Sequence, residues 1–475
     1  MTSNDDDRTE CRKLREFKEF LHDCAPDAAV EVVRSSMTRS NSETYPLTTQ
    51  EMRAEVLAIV WNQLIAKHCP PDFQLLLMRA AFEEIEREPI NIKASDIAST
   101  VAGDDDQEML LFDLIKLQKF ALNNMEKLLS RLRDNAEANY FRRFVLECKP
   151  CPDNNCNCCT KSSPAIKVPM HLAAAVKNKP RKMEDRHCCW PLYSEVFQIK
   201  SSNNRQYGFY GVFDGHGGPL AAAYATTQLP QLFAERLQQT HTNSTTQHIM
   251  EAFKEAFIQT DKQFAKKRIS SGTTAVCALH SRHTENIVNT SDADAGAQHL
   301  YVAWLGDSKA MLVSRSKRQQ LVRPHKPDSP EERLRIESND SGAVMFVQGQ
   351  WRVNGILNVS RSIGDFSVSS VIAEPDVVCI DLKHDDDFLV LGTDGLWDHA
   401  SDEDIASTIY DGLAKKDINL DDLPKMLISL AKHGDSQDNI TVVIVLLREA
   451  AKIVGRMTNT TGPAFLEPGP RAGNV

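Results

Sequence analysis

The chain has 475 residues, 41% of them hydrophobic, and a formal net charge of −10, enough for one large domain with a sizeable core and a smaller one beside it. The acidic balance argues against a nucleic-acid partner, because a phosphate backbone demands a basic surface. The polar start Met1-Thr2-Ser3-Asn4-Asp5-Asp6-Asp7 does not read as a secretory leader, no apolar run reaches membrane-spanning length, and the 12 cysteines read as reduced thiols, so an intracellular, cytoplasmic protein is expected.

Residues 1–44 are polar without apolar periodicity and are expected to be flexible; Arg34-Ser35-Ser36-Met37-Thr38-Arg39-Ser40 within them suits a kinase or a solvated loop. From Thr48 the pattern turns helical. Thr48 and Glu51 form a capping box, and Met52, Val56, Val60 and Leu64 recur every fourth residue. Leu114, Leu117, Ala121, Met125, Leu128 and Leu132 mark a further helix, with Pro70-Pro71 and Pro89 as breaks. Residues 45–147 are therefore predicted to be an all-helical domain. It holds no convergent acid, base or nucleophile set, so it serves either to dock a protein partner or to pack. In the linker, 148–163, Cys148, Cys151, Cys156, Cys158 and Cys159 fit either a Zn²⁺ site or an exposed loop, the crowding and the missing histidine disfavouring the metal.

From 164 to 449 the texture becomes short apolar runs broken by turns: Tyr207 to Phe213, Thr273 to His280, Leu300 to Leu305, Ala310 to Ser314, Phe388 to Gly392 and Ile440 to Leu447. Helical stretches fall near 219–239, 246–268, 330–338, 402–414 and 421–433. Strands this close in sequence favour antiparallel meanders over strict βαβ alternation. Polar residues 281–298 read as a long hairpin loop, and 450–475, with Gly462-Pro463 and Pro468-Gly469-Pro470, as a disordered tail.

Asp214, Asp394 and Asp438 each border an apolar run, so each carboxylate should emerge at a strand end. Glu184 and Asp185 add two more acids. A strand-end Asp-Gly taken singly is more often a turn than a ligand. Carboxylates gathered together repel unless cations lie between them, and hard oxygen ligands suit Mg²⁺ or Mn²⁺. Two such ions can share a water, lower its pKa and aim it at phosphorus. Phosphoryl transfer then needs mainly a cation for phosphate oxygens, here Arg181 or a neighbouring lysine, and an acid for the leaving oxygen, here His216. A two-metal nuclease shares the ion chemistry but would want a basic, aromatic-rich groove.

Eight phrases in order carry a resemblance: Met183-Glu184-Asp185, Phe213-Asp214-Gly215-His216-Gly217-Gly218, Ser271-Gly272-Thr273-Thr274-Ala275, Leu305-Gly306-Asp307-Ser308, His325-Lys326-Pro327, Asn358-Val359-Ser360-Arg361-Ser362-Ile363-Gly364-Asp365, Asp394-Gly395-Leu396-Trp397-Asp398 and Asp438-Asn439. Together they resemble the metal-dependent protein serine/threonine phosphatases of type 2C, the PPM family. The appended helical region looks most similar to the calmodulin-kinase phosphatase branch and to the nematode feminization phosphatase of sex determination.

The resemblance implies an α+β fold of four layers, two packed antiparallel sheets flanked by helices, with a two-metal site at one end and the helical domain before it. It implies hydrolysis of phosphoserine and phosphothreonine in proteins by a water bridging two Mg²⁺ or Mn²⁺ ions. Asp214 would bridge both ions, the Gly215 carbonyl would ligate one, and Asp394 and Asp438 would ligate the other side. Glu184 and Asp185 would contact metal directly or through water, Asp307 with Asp394 would hold a weaker third ion, and His216 would be the general acid. Protein partners in sex determination would be recruited through the helical domain.

Two positions depart from the family. Pro180 stands where its phosphate-binding arginine usually lies, which leaves Arg181, one step later, as the expected ligand, and Pro324 replaces an aspartate before His325-Lys326-Pro327. Ser271 lacks an adjacent base and reads as strand packing, His325, Lys326 and Arg361 read as architectural, and Asp398 reads as an orienter of Asp394. The alternative function is a catalytically weak scaffold that binds partners through the helical domain, although no metal ligand is missing.

Overall fold

The computed structural model describes residues 12–24, 44–91, 97–102, 108–134, 170–200, 205–239, 245–283 and 298–458. Two five-stranded antiparallel sheets dominate. One has the order β16-β10-β9-β6-β5, from Asp376–Asp381, His299–Leu305, Ala275–His283, Arg205–Phe213 and Arg186–Trp190. The other has the order β12-β11-β17-β18-β4, from Arg318–Gln320, Lys309–Ser314, Asp386–Gly392, Ile440–Leu446 and His171–Val176.

The inner strands are apolar at nearly every position because both of their faces are covered. In β6, Tyr210 and Val212 face a cluster with Leu389, Leu391, Val443 and Val445 of the other sheet. The alternate residues Phe209 and Phe213 face a second cluster with Phe233 and Phe253 of helices Leu220–Gln239 and Thr246–Ala265. In β17, Phe388 and Val390 turn outward to Ile405, Ile409 and Leu427 of helices Asp402–Ala414 and Leu423–His433. The period of two thus generates helix, sheet, sheet and helix layers around a shared interior.

The N-terminal region joins one outer layer. Helix Thr49–Ala66 starts at a complete capping box between Thr48 and Glu51. Trp61 of this helix packs 5.6 Å from Trp190 of β5 and donates from Nε1 to the Cys189 carbonyl at 3.0 Å. Glu51 accepts from Tyr224 Oη at 2.5 Å and Lys267 Nζ at 2.6 Å, and both ionic side chains are nearly sealed from solvent. One apolar cluster runs without a break from Trp61, Leu64 and Leu117 to Tyr224 and Phe253.

Four stretches differ from the sequence reading, the first being helix Pro71–Asn91, which runs through Pro89 where a break is expected. Helix Arg12–Asp23 occupies part of the polar N-terminal segment, because Phe17, Phe20, Leu21 and Cys24 form one i, i+3, i+4, i+7 stripe, which is buried. Within 45–147, Pro46–Leu47, Ala98–Ala102 and Glu108–Asp113 make a small sheet, in which Glu108–Asp113 pairs with both other strands before helix Leu114–Asp134 begins. Helix Ala450–Thr458 opens the expected tail, anchored by Ile453 at 1% exposure. The cysteine-rich linker, the Arg34–Ser40 stretch, most of the 281–298 loop and the tail from 459 lie outside the described residues.

Candidate active site

Five strand ends meet at one edge of the sandwich. β6 ends at Phe213, just before Asp214, and pairs Phe213 with Arg186, the residue after Asp185. β17 ends at Gly392, two residues before Asp394, and pairs Gly392 with Val442 of β18, which begins just after Asp438-Asn439. β10 ends at Leu305, and Gly306-Asp307 follow it. Antiparallel pairing therefore delivers the N-terminal ends of β5 and β18 beside the C-terminal ends of β6, β10 and β17.

The electrostatics register this convergence. Burial and the charges of Asp185, Asp394, Asp307 and Asp438 together push the Asp214 carboxyl well above the usual 3.8. Asp394 is pushed up to about 7 by burial and by Asp307, Asp438 and Asp398. Asp185, 2% exposed, is raised to about 7 by burial and Asp438, although Thr441 Oγ1 and Thr393 Oγ1 donate to its Oδ2 at 2.8 and 3.0 Å. Asp438 is exposed and Glu184 half-buried. Asp307 is buried and ion-paired with Lys326 Nζ.

The loop that carries Glu184 and Asp185 is held by Asn439. Its Oδ1 accepts from Glu184 N at 2.7 Å, and its Nδ2 donates to the Lys177 and Lys182 carbonyls at 2.8 and 3.2 Å. Gly215 lies against this loop so closely that a Cβ there would meet the Glu184 carbonyl oxygen at 2.5 Å. Arg186 donates to the Met183 and Asp185 carbonyls, at 2.8 and 2.7 Å, and ties the loop to itself. Arg181 is exposed two residues before Met183.

His216 sits in a second, small sheet of order β15-β8-β7, made of Ile363–Gly364, Gly272–Thr273 and Gly215–His216. Its Nε2 lies 2.6 Å from Asp365 Oδ2. Ser271 is buried and its Oγ accepts from Ala221 N at 3.1 Å, so it caps the adjacent helix rather than serving as a nucleophile. Arg361 binds the buried Glu332 through Nε and Nη2, and Trp397 Nε1 donates to the Gly392 carbonyl.

Sequence reasoning missed the partners of its candidates: Thr393 and Thr441 on Asp185, Asn439 on the Glu184 loop, Lys326 on Asp307 and Asp365 on His216. Asn439, Lys326 and Asp365 all lie within the quoted phrases, but a single sequence does not say which acid each one meets.

The donor set fits divalent cations of the Mg²⁺ and Mn²⁺ type. It is all oxygen, and crowded buried carboxylates are charged only at a cost that a cation would remove. Among the described residues, the set of three side chains with ligand atoms within 4.8 Å of one another is elsewhere, at His299, Cys379 and Asp381. Among the described residues, the aspartates therefore do not bring three ligand atoms within 4.8 Å of one another, so they do not form a single-ion cage. His299 and Asp381 are directly opposed on neighbouring strands with Nδ1 and Oδ1 2.7 Å apart, a cross-strand hydrogen bond at the sheet's edge.

The molecule's likeness to known proteins agrees with this frame. The chain matches Protein phosphatase 1F of Mus musculus at 36% identity over 305 residues, covering 62% of this chain and 61% of that protein. Protein phosphatase 1E of Mus musculus is 29% identical over 418 residues, covering 86% of this chain and 48% of that protein. The matched stretches thus span less than two thirds of these relatives' length. A solved structure described as that of a C. elegans sex determining protein superposes with a TM-score of 0.66 at 20% identity, covering 95% of this chain and 98% of that one, which shows a shared fold. The profile of the Protein phosphatase 2C family matches residues 172–440, more than half of the sequence and the stretch that contains all the strand ends described above. By that match and this architecture, the chain belongs to the protein phosphatase 2C family.

Proposed function

We propose that this protein is a metal-dependent protein serine/threonine phosphatase acting on phosphoserine and phosphothreonine in proteins. The observation that carries the reading is the convergence of Asp185, Asp214, Asp307, Asp394 and Asp438 on one edge of the sandwich, where burial and the neighbouring charges raise the proton affinity of Asp185, Asp214 and Asp394. Asp214, the Gly215 carbonyl, Asp394 and Asp438 would hold two ions, with Glu184 and Asp185 contacting them directly or through water and Asp307 serving a weaker third. Bound Mg²⁺ or Mn²⁺ would neutralise phosphate charge and make a shared water acidic near neutral pH.

The chain's own groups do the rest. Asn439 and Arg186 fix the loop bearing Glu184 and Asp185, so those carboxylates need not be ordered on binding. Arg181, exposed two residues before Met183, is the residue proposed to bind phosphate oxygens of the substrate. Arg181→Ala is expected to raise KM by roughly tenfold with a smaller fall in kcat, because a ground-state contact is lost; steady-state assays on a phosphopeptide check this. His216 gives its proton to the departing serine or threonine oxygen.

The N-terminal region is proposed to recruit a protein partner, and sex determination is the proposed setting, by analogy with the C. elegans protein of shared fold. The test is phosphate release from phosphoserine and phosphothreonine peptides with Mn²⁺, with and without chelator. Metal-dependent release supports the reading. No release, together with no heat of Mn²⁺ binding in calorimetry, would overturn it in favour of a partner-binding scaffold.

A further inference from the structure

Beside the small sheet that carries His216 lies Asp365, to which the phosphatase reading gives no part. Gly272 lies in the central strand of the small sheet, pairing with His216 on one side and with Gly364 on the other. A Cβ on Gly272 would meet Asp365 Oδ2 at 2.0 Å and His216 Nε2 at 2.4 Å, so the contact between these two side chains occupies the space that the missing side chain leaves. Asp365 is 8% exposed and adopts φ +55°, a left-handed conformation that costs a non-glycine residue free energy and persists only where surroundings enforce it.

The surroundings do enforce it. Gly364, at φ +94°, donates from its N–H to Asp261 Oδ1 at 2.8 Å, tying the turn to helix Thr246–Ala265. The Asp365 carbonyl accepts from Val368 N at 2.8 Å. Ser362 Oγ donates to the same Oδ2 that faces His216, at 2.5 Å. The carboxylate is therefore fixed by its own loop, and the imidazole is the group that it in turn fixes. The His216 side chain retains 29% exposure while its Nε2 is engaged by Asp365.

We propose that Asp365 is the positioning residue of the proton-donating group: it accepts from Nε2–H of His216, fixes ring orientation and tautomer, and leaves Nδ1 as the nitrogen that meets the leaving oxygen. This rests on the phosphatase reading of the site. In the step, the oxygen of water joins phosphorus, the ester P–O bond breaks with its electron pair on the serine or threonine oxygen, and the Nδ1 proton closes that oxygen to the alcohol. The proton lost by the water passes to solvent and one from solvent restores Nδ1. The neutral ring left behind keeps its Nε2–H on Asp365, as a carboxylate that orients an imidazole requires.

The test compares leaving groups in the full chain with Mn²⁺. A serine alkoxide needs a proton to leave, whereas nitrophenolate is stable without one. For Asp365→Asn the loss of kcat on a phosphoserine peptide should exceed the loss on p-nitrophenyl phosphate by roughly tenfold or more, within the range of general-acid contributions. Asp365→Asn combined with His216→Ala should be no slower on the peptide than His216→Ala alone, because the two act as one unit. Equal losses on both substrates, or additive losses in the double variant, would overturn the proposal and leave Asp365 a structural residue.

Should the wild type turn over neither substrate, the phosphatase reading fails separately. The ring ¹⁵N–¹H correlations of His216 then decide the positioning claim. An Nε2–H tautomer in the wild type that is lost in Asp365→Asn supports it, and an Nδ1–H tautomer in the wild type refutes it. A melting curve for each variant keeps unfolding from passing as a catalytic defect.

Discussion

Replacing Asp214 by asparagine is expected to raise the thermal midpoint of the metal-free protein while cutting phosphate release by at least about 10²-fold, the scale of losing one electrostatic stabiliser. Asp214 is packed among four other carboxylates, and its charge is opposed by burial and by each of them. Asparagine keeps the shape and removes the charge, so the folded state loses a repulsion that the unfolded chain does not have. Divalent ions should invert the order. They bind the folded wild type and stabilise it by about 2.7 kcal/mol at a roughly hundredfold excess over Kd, a gain that the variant has in smaller measure.

The pH dependence follows with a definite sign. Burial and neighbouring carboxylates raise Asp185 and Asp394 to about 7 in the folded protein from an ordinary 3.8. Between those values the folded state binds more protons than the unfolded one, so stability falls as pH rises through the window. The chelated protein should therefore melt higher at about pH 6 than at about pH 8, and saturating Mn²⁺, which competes with those protons, should flatten the difference. Melting scans with chelator and with Mn²⁺ read both effects. A metal-free midpoint indifferent to pH and to Asp214→Asn would mean that the carboxylates are not crowded as described.

Glu51→Ala should be the most damaging single change in the N-terminal region, at about 3–5 kcal/mol, the cost of leaving one member of a buried ion pair without its partner. Its side chain is 5% exposed and that of Lys267 6%. Burial pushes the Glu51 carboxyl up, but the Lys267 ammonium, the Thr48 N–H and the Tyr224 hydroxyl outweigh it and hold the group below its usual 4.5. The pair's contribution is thus present above about 4.5 and lost as pH falls through the lower folded value. Adding Lys267→Met to Glu51→Ala should recover much of the loss, because the orphaned ammonium is gone. Chemical denaturation at neutral pH decides, and a double variant no more stable than Glu51→Ala would refute the pairing. Against a total stability of about 5–15 kcal/mol, a loss of this size threatens the whole contact between helix Thr49–Ala66 and helix Leu220–Gln239.

Local patterns carry some features completely. The capping box at Thr48 and Glu51 is visible in four residues and forms as read, because both partners lie within one turn. The strands β6, β9, β10, β17 and β18 are readable because an apolar run buried on both faces has few alternatives. Where periodicity failed, it failed on short pieces. The Phe17, Phe20, Leu21, Cys24 stripe is diluted by charged neighbours, and the run at Met109–Phe112 fits either a strand or a buried helical turn until a partner strand selects one.

Residue type and spacing named the acids, since a carboxylate beside a strand end is a local fact. Which groups those acids face is not local. Asp365 reaches His216 from 149 positions away, Asn439 reaches Glu184 from 255, and Lys267 reaches Glu51 from 216. Pairings across such distances exist only once the sheets are in register and the helices have packed on them. The chemistry was therefore written into the chain, whereas the neighbours that tune and aim it were chosen by packing.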